Sequence, residues 1–286
     1  CWKSGVNGQW CSKPLAEFTK EEKAAYCRQV DESKRKRDAD LAQSQAEASA
    51  KAKVIIDAAQ PATDDHGYLT SKVVSAYPGV MVGDWPQRNA KDCVLIPFTA
   101  SNALATVQAI SATGALIGDS SKDWLIGGRK AGASFVIGDL ATSELIVIGE
   151  GYATVASIHE STGLAVVMAG DCGNLLPVAK SIRSQWPKKR LVVAADDDRD
   201  TEGNPGLTKA RIACEAVKAA LVVPGFTDEE VGKWRQCHKE KAPTDFNDLR
   251  VIRGLDGVRA VFNTTLVSSE QPEVDKPDKD LSLIHI

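Results

Sequence analysis

The chain has 286 residues, 43% apolar and 26% charged, which supplies a hydrophobic core and excludes a wholly disordered polymer. Lys and Arg number 35 against 38 Asp and Glu, a formal net charge of -3, so any nucleic-acid surface must be a local basic patch. No run approaches the roughly 18 consecutive apolar residues of a bilayer span, and a soluble, cytoplasmic protein with no membrane partner is expected.

The seven cysteines, Cys1, Cys11, Cys27, Cys93, Cys172, Cys214 and Cys237, include no C-x-x-C pair. Buried thiols in a reducing compartment are expected, and zinc is not. The sequence opens on Cys1, not Met, and ends in LSLIHI, which back-translates to a transposon-end sequence used in sequencing libraries. An interior piece of a longer product with an artefactual end is therefore expected.

In chain order, Thr19 followed by Glu22 is a capping-box signature, and no Gly or Pro interrupts the sequence from Lys20 to Gln60. This predicts a long charged helix, or a broken pair, with too few apolar positions for a coiled-coil seam. The basic run Lys34 to Arg37 reads as a solvated face or a nucleic-acid contact. From Asp64 to about Asp139 short β-type runs take over. Cys93–Thr99 and Leu104–Ser111 flank Ala100, Ser101 and Asn102 as a hairpin, followed by KDWLIGG and ASFVIGD, which predicts a small antiparallel module. Within it, GGRKAG places Arg129 and Lys130 on a glycine-rich connection, either a phosphate contact or an ordinary turn.

From Glu144 the pattern alternates: ELIVIG, a helix over Tyr152–Ser161, LAVVMAG, a helix over Leu175–Gln185, RLVVAAD, a helix over Leu207–Ala219, then LVVPGF. Unbroken Val/Ile/Leu strands between helices predict an α/β unit, a parallel sheet covered on both faces. Ligands gather at the carboxyl ends of such strands. The first ends at Glu150 and the third at Asp196, Asp197 and Asp198. Residues i and i+2 of an extended segment share a side, so Asp196 and Asp198 converge while Asp197 faces away. Convergent carboxylates suit Mg²⁺, or Mn²⁺, and phosphoryl transfer. The alternative is that these acids serve only as turn and cap residues. Asp245 and Asp248 in DFNDL supply further carboxylates, or Thr244 or Asp245 caps a helix. A dinucleotide site is disfavoured because Thr154 occupies the third glycine position and Glu150 would face the pyrophosphate, and no P-loop motif occurs.

IGEGYAT and AADDDRD resemble the glutamate and D-x-D motifs of the TOPRIM domain. With IGGRKAG, MAGDCGNL, GNPGLTKA and DFNDL, the ordered set from about Asp64 to Phe262 is similar to plasmid- and phage-encoded primases. The resemblance implies a TOPRIM-like parallel sheet flanked by helices, preceded by a small antiparallel or mixed subdomain and a long N-terminal helix. The implied division is an upstream remnant at 1–18, a helical spacer at 19–61, a small subdomain at 64–140, the TOPRIM domain at 144–262 and a disordered tail at 268–286. The implied activity is template-directed synthesis of RNA primers on single-stranded DNA. Glu150 would be the catalytic acid and a metal ligand, with Asp196 and Asp198 holding Mg²⁺. Arg129, Lys130 and Lys209 would contact triphosphate or template. The implied partners are single-stranded DNA, ribonucleoside triphosphates and a replicative helicase. The zinc-binding module usual upstream in such primases has no ligand set in this sequence. A TOPRIM-type nuclease and a non-catalytic DNA-binding module are the alternatives. A topoisomerase is disfavoured because no tyrosine follows Tyr152.

Overall fold

The computed structural model describes residues 18–268. The expected remnant and tail, and Cys1 and Cys11, lie outside the described residues. Of the two expected readings, one helix or a broken pair, the structure has the single helix, α1 (Lys20–Asp57). Thr19 and Glu22 form the expected capping box, each side chain accepting from the other's backbone N–H at 3.2 and 2.8 Å. The chain divides into two compact units inside α1, between Glu47 and Ala48. In the first, α1 is almost wholly exposed. In the second, its last three turns bury Ala48 and Ala52, and Ser49 Oγ donates to Leu104 O at 2.6 Å.

The second unit holds two five-stranded sheets. The first has the order β1-β2-β3-β4-β5, antiparallel throughout: β1 (Gln60–Pro61), β2 (Met81–Trp85), β3 (Ala90–Ala100), β4 (Ala103–Ser111) and β5 (Lys122–Trp124). Its central hairpin turns at Ser101 and Asn102, whose φ values of 51° and 63° are those a tight two-residue turn between right-twisted strands requires. A short helix, α2 (Gly67–Lys72), sits between β1 and β2 and had no clear sequence signal.

The second sheet has the order β10-β9-β7-β8-β6: β6 (Phe135–Ile137), β7 (Leu145–Gly149), β8 (Ala165–Met168), β9 (Arg190–Ala194) and β10 (Ala220–Val222). Four strands are parallel, as expected, but β6 runs antiparallel to β8. The segment ASFVIGD therefore belongs to this sheet and not to the antiparallel module. Phe135 and Ile137 are buried at 7% and 2% exposure, and the edge of the α/β core gives both a place to go. Period-2 alternation sorts the strand residues between two layers of helix. Ile146, Ile148, Val167 and Val193 face α4 (Leu175–Gln185) and α5 (Pro205–Val217). Val147, Val166 and Val192 face α3 (Tyr152–Thr162) and α7 (Phe246–Ser268), the latter kinked at Gly254. Each fully buried aliphatic side chain contributes roughly 1.5–3 kcal/mol.

Val94, Ile96, Phe98 and Ile110 of the first sheet enter that same α3/α7 core. Thr99 and Ser134 exchange two backbone hydrogen bonds, at 2.9 and 3.0 Å, which stitch the end of β3 to the approach of β6. The opposite face of the first sheet packs Trp85, Leu95 and Val107 on Ala52 and Ala59. Cys93 and Cys214 are buried as expected, but Cys27 and Cys237 are exposed because they sit in charged helical stretches. No described helix is long and apolar enough to cross a membrane.

Candidate functional site

The site forms where β7 and β9 end. Gly149 closes β7 against α3; a Cβ there would lie 2.8 Å from Val155 Cγ1. The β7–β8 ladder runs one step past the strand, Gly170 N–H donating to Glu150 O at 2.7 Å. Glu150 is thereby fixed between the end of β7 and the first turn of α3, whose N-cap is Gly151. Burial raises its pKa from 4.5 to about 7; the Lys122 cation opposes this, and the charges of Asp198 and Asp171 reinforce it.

After β9, the three consecutive aspartates separate as their spacing predicts. Asp197 turns to Arg199, at 3.0 Å from Nε and 2.5 Å from Nη2, and to Asn204 Nδ2 at 2.8 Å. Asp196 points the other way. Burial, then the charges of Asp245 and Glu150, push its pKa well above the carboxylate range, and among the described residues its buried Oδ1 has no hydrogen-bond partner. Asp198 Oδ2 accepts from Gly206 N–H at 2.9 Å, at the start of α5, so a helix N-terminus orients it. Gly206 is needed there for space: a Cβ would stand 2.7 Å from Asp196 O and 2.8 Å from Asp198 Oδ2.

Asp245 takes the expected capping role. Its Oδ1 caps α7, accepting from Asn247 and Asp248 N–H at 2.8 and 2.9 Å, while Oδ2 accepts from Thr154 Oγ1 at 3.1 Å and its charge acts on Asp196. Asp248 stands one step back, accepting from Thr244 N–H at 2.8 Å. Burial and Asp245 raise its pKa to about 6.

Two neighbours of the acids escaped the sequence reading. Lys122, the first residue of β5, places its Nζ 3.4 Å from the position a Cβ on Gly151 would take, and its charge lowers the pKa of both Glu150 and Asp196. Asp171, after β8, caps the short 3-10 turn Cys172–Asn174, its Oδ1 accepting from Asn174 N–H at 3.0 Å. Its Oδ2 meets Lys130 Nζ at 3.4 Å. Of the expected cations, Lys130 therefore reaches the edge of the site, where it also lies 5.4 Å from the Trp124 ring centroid. Arg129 donates from Nε to Ala131 O at 3.2 Å. Lys209 is exposed on α5, and among the described residues it forms no hydrogen bond or ion pair with the acids.

Among the described residues, no three His, Cys, Asp or Glu side chains are drawn into a ready-made metal cage. The donor set nonetheless fits Mg²⁺, a hard cation that uses one or two carboxylates and completes its shell with water and phosphate oxygens. The unpartnered Oδ1 of Asp196, among like charges that one divalent cation would neutralise, is the structural sign of that fit.

Residues 145–256, which carry all of these acids, match the family described as Toprim domain. The chain is also similar to two Escherichia coli proteins named DNA primase TraC. One is 36% identical over 178 residues, 59% of this chain and 16% of that protein; the other is 35% identical over 170 residues, 57% and 11%. The chain thus spans about a sixth or less of the length of these relatives. The RNA polymerase domain of Mycobacterium tuberculosis primase DnaG aligns with TM-score 0.49 and 15% identity, over 80% of this chain and 87% of that one, a likeness too loose to bear on the chemistry.

Proposed function

We propose that the chain is the catalytic core of a plasmid-type DNA primase, a nucleotidyltransferase that extends RNA primers on single-stranded DNA from ribonucleoside triphosphates. The observation that carries this reading is the buried, unpartnered Asp196 Oδ1 beside Glu150 at the carboxyl end of a Toprim sheet; the similarity to the TraC primases supports it. Glu150, with a pKa near 7, is poised at neutral pH to take the proton of an attacking 3′-hydroxyl. Asp196 and Asp198 would hold Mg²⁺ or Mn²⁺, with Asp245 and Asp248 behind them as additional acids. The bound metal supplies charge stabilisation to the attacking and leaving oxygens. Lys122 tempers the repulsion among the acids. Lys130, Arg129 and Lys209 would meet triphosphate or template backbone, Lys130 by leaving Asp171 for the incoming anion. The residues 64–140 and 144–262 would act together as small subdomain and TOPRIM domain, in the cytoplasm and alongside a replicative helicase.

The test is labelled ribonucleotide incorporation on single-stranded DNA with Mg²⁺, comparing the parent chain with Glu150→Gln and Asp196→Asn. Template-dependent products lost in both variants are the expected outcome. Shortening of the DNA by the parent, lost in both variants, would replace the primase with a nuclease. DNA binding that survives chelation, with neither activity, would leave a non-catalytic binding module.

A further inference from the structure

Three strands of the first sheet meet one glycine beside the acids. Gly170, which follows β8, has a φ of 89° and donates its N–H to Glu150 O at 2.7 Å. A Cβ on it would stand 2.4 and 2.5 Å from Trp124 Cζ2 and Cη2 and 3.0 Å from Phe98 Cζ, so β5 and β3 leave room there for glycine alone. The two rings brace each other edge to face, with centroids 4.7 Å apart. From β4, Gln108 Nε2 donates to Gly170 O at 3.2 Å. Side chains of three strands thus hold this residue, which pins the main chain of Glu150 on one side and leads into Asp171 on the other.

Gln108 is the odd member of its surroundings. Alternation along β4 turns Val107 and Ala109 toward α1, and Thr106, Gln108 and Ile110 toward the core shared with the second sheet. There Gln108 is 1% exposed, and among the described residues its Oε1 has no hydrogen-bond partner. An amide that leaves one oxygen orphaned in an apolar core destabilises the fold, and methionine would fill similar space without that loss. Packing therefore does not account for a glutamine at this position. The bond to Gly170 does, because it needs a neutral donor of that reach.

We infer that Gln108 is a positioning residue for Glu150: its amide fixes the Gly170–Asp171 peptide, and through Gly170 N–H the main chain from which the Glu150 carboxylate extends. The inference rests on the primase reading for the role of Glu150. Because α3 begins directly after Glu150, with Gly151 as its N-cap, the main chain of Glu150 is held on one side by this helix and on the other by Gly170. Loosening the Gly170 side shifts the carboxylate without removing any group that touches substrate. A misplacement of about 1 Å at a reacting group costs on the order of 100-fold in rate.

Steady-state ribonucleotide incorporation is measured for the parent chain, Gln108→Met, Gln108→Asn and Thr106→Val, and exchange of the Gly170 amide with solvent is followed by NMR on ¹⁵N-glycine-labelled protein in EDTA. Thr106→Val is the control: Thr106 is fully buried on the same face of β4, and its Oγ1 is likewise unpartnered among the described residues. Gln108→Met is expected to lower kcat by about 10- to 100-fold while the half-saturating nucleotide and template concentrations stay within about twofold of the parent. Exchange of the Gly170 amide should quicken by about tenfold or more. Gln108→Asn keeps the donor but draws it back by one methylene; it should fall the same way, and it decides the matter if Gln108→Met does not fold. Thr106→Val should leave both readouts at the parent value. An unchanged kcat or an unchanged Gly170 exchange rate in the Gln108 variants overturns the inference. So does an equal fall in Thr106→Val, which would make the effect one of general packing, or a rise in the half-saturating concentrations with kcat kept, which would move Gln108 to substrate binding. A parent chain that incorporates nothing removes the primase reading instead. If that chain cleaves DNA, the same comparison on the cleavage rate sustains or overturns the role of Gln108; if it does neither, the role falls with the reading.

Discussion

Each sheet carries an aspartate at its functional or structural extremity, and their surroundings are opposite. Asp123, on β5, is 6% exposed. Burial pushes its pKa up, but Trp85 Nε1 at 2.9 Å, Gln87 Nε2 at 2.5 Å and Arg88 Nε at 2.9 Å all donate to its Oδ2, and the balance falls below the ordinary value. Asp196, beyond β9, has an oxygen with no donor among the described residues and like charges around it, and its pKa goes the other way. A saturated buried carboxylate holds a fold together; an orphaned one holds a place open for something to bind. Burial alone does not separate the two, and the donors do.

That contrast is broken most sharply by exchanging the roles. Asp196→Asn is expected to lower nucleotide incorporation on the order of 100-fold or more while metal-free stability, followed by urea unfolding, holds or rises, because a like charge has been removed. Asp123→Ala should do the reverse. Leaving Trp85 N–H and the Arg88 guanidinium without their acceptor costs about 3 kcal/mol, visible as a lower urea midpoint, with activity per folded molecule kept. If Asp196→Asn were the one that unfolds the chain, the distinction would collapse.

Smaller effects sharpen it. Gly206→Ala forces a methyl group against Asp196 O and Asp198 Oδ2 and should cost about 1–3 kcal/mol, together with weaker Mg²⁺ binding by titration calorimetry. Lys122→Met removes the cation that lowers the Glu150 pKa, so the acid limb of the pH–rate profile is expected to move to higher pH. Last, folded Glu150 keeps its proton up to about pH 7, against about 4.5 when unfolded. The folded state therefore binds more protons in that window, and metal-free stability should fall as pH rises through it. Urea midpoints at pH 5 and pH 8 in EDTA check this, and Glu150→Gln should flatten the difference.

Much of this was legible in the sequence. The Val/Ile/Leu runs gave the α/β alternation, the capping pair Thr19 and Glu22 gave the start of α1, and the two-residue alternation in Asp196–Asp198 separated Asp197 from its neighbours. What escaped depends on distant partners. The assignment of Phe135–Ile137 to the second sheet turns on β8, whose paired residues lie 29 to 33 positions later in the chain. Lys122 and Asp171 carry no local mark, because each joins the site only when β5 and the turn after β8 are brought beside Glu150.

The backbone exchange between Thr99 and Ser134, and the core that Ile96 and Phe98 share with Val147 and Val166, set the size of the smallest heritable piece. A recombination break between residues 111 and 135 that replaced one sheet and kept the other would strip an apolar flank from each. Calorimetry on the 48–286 unit should accordingly give one melting transition, and variation among related elements should be spliced in at the ends of this unit and not through its middle.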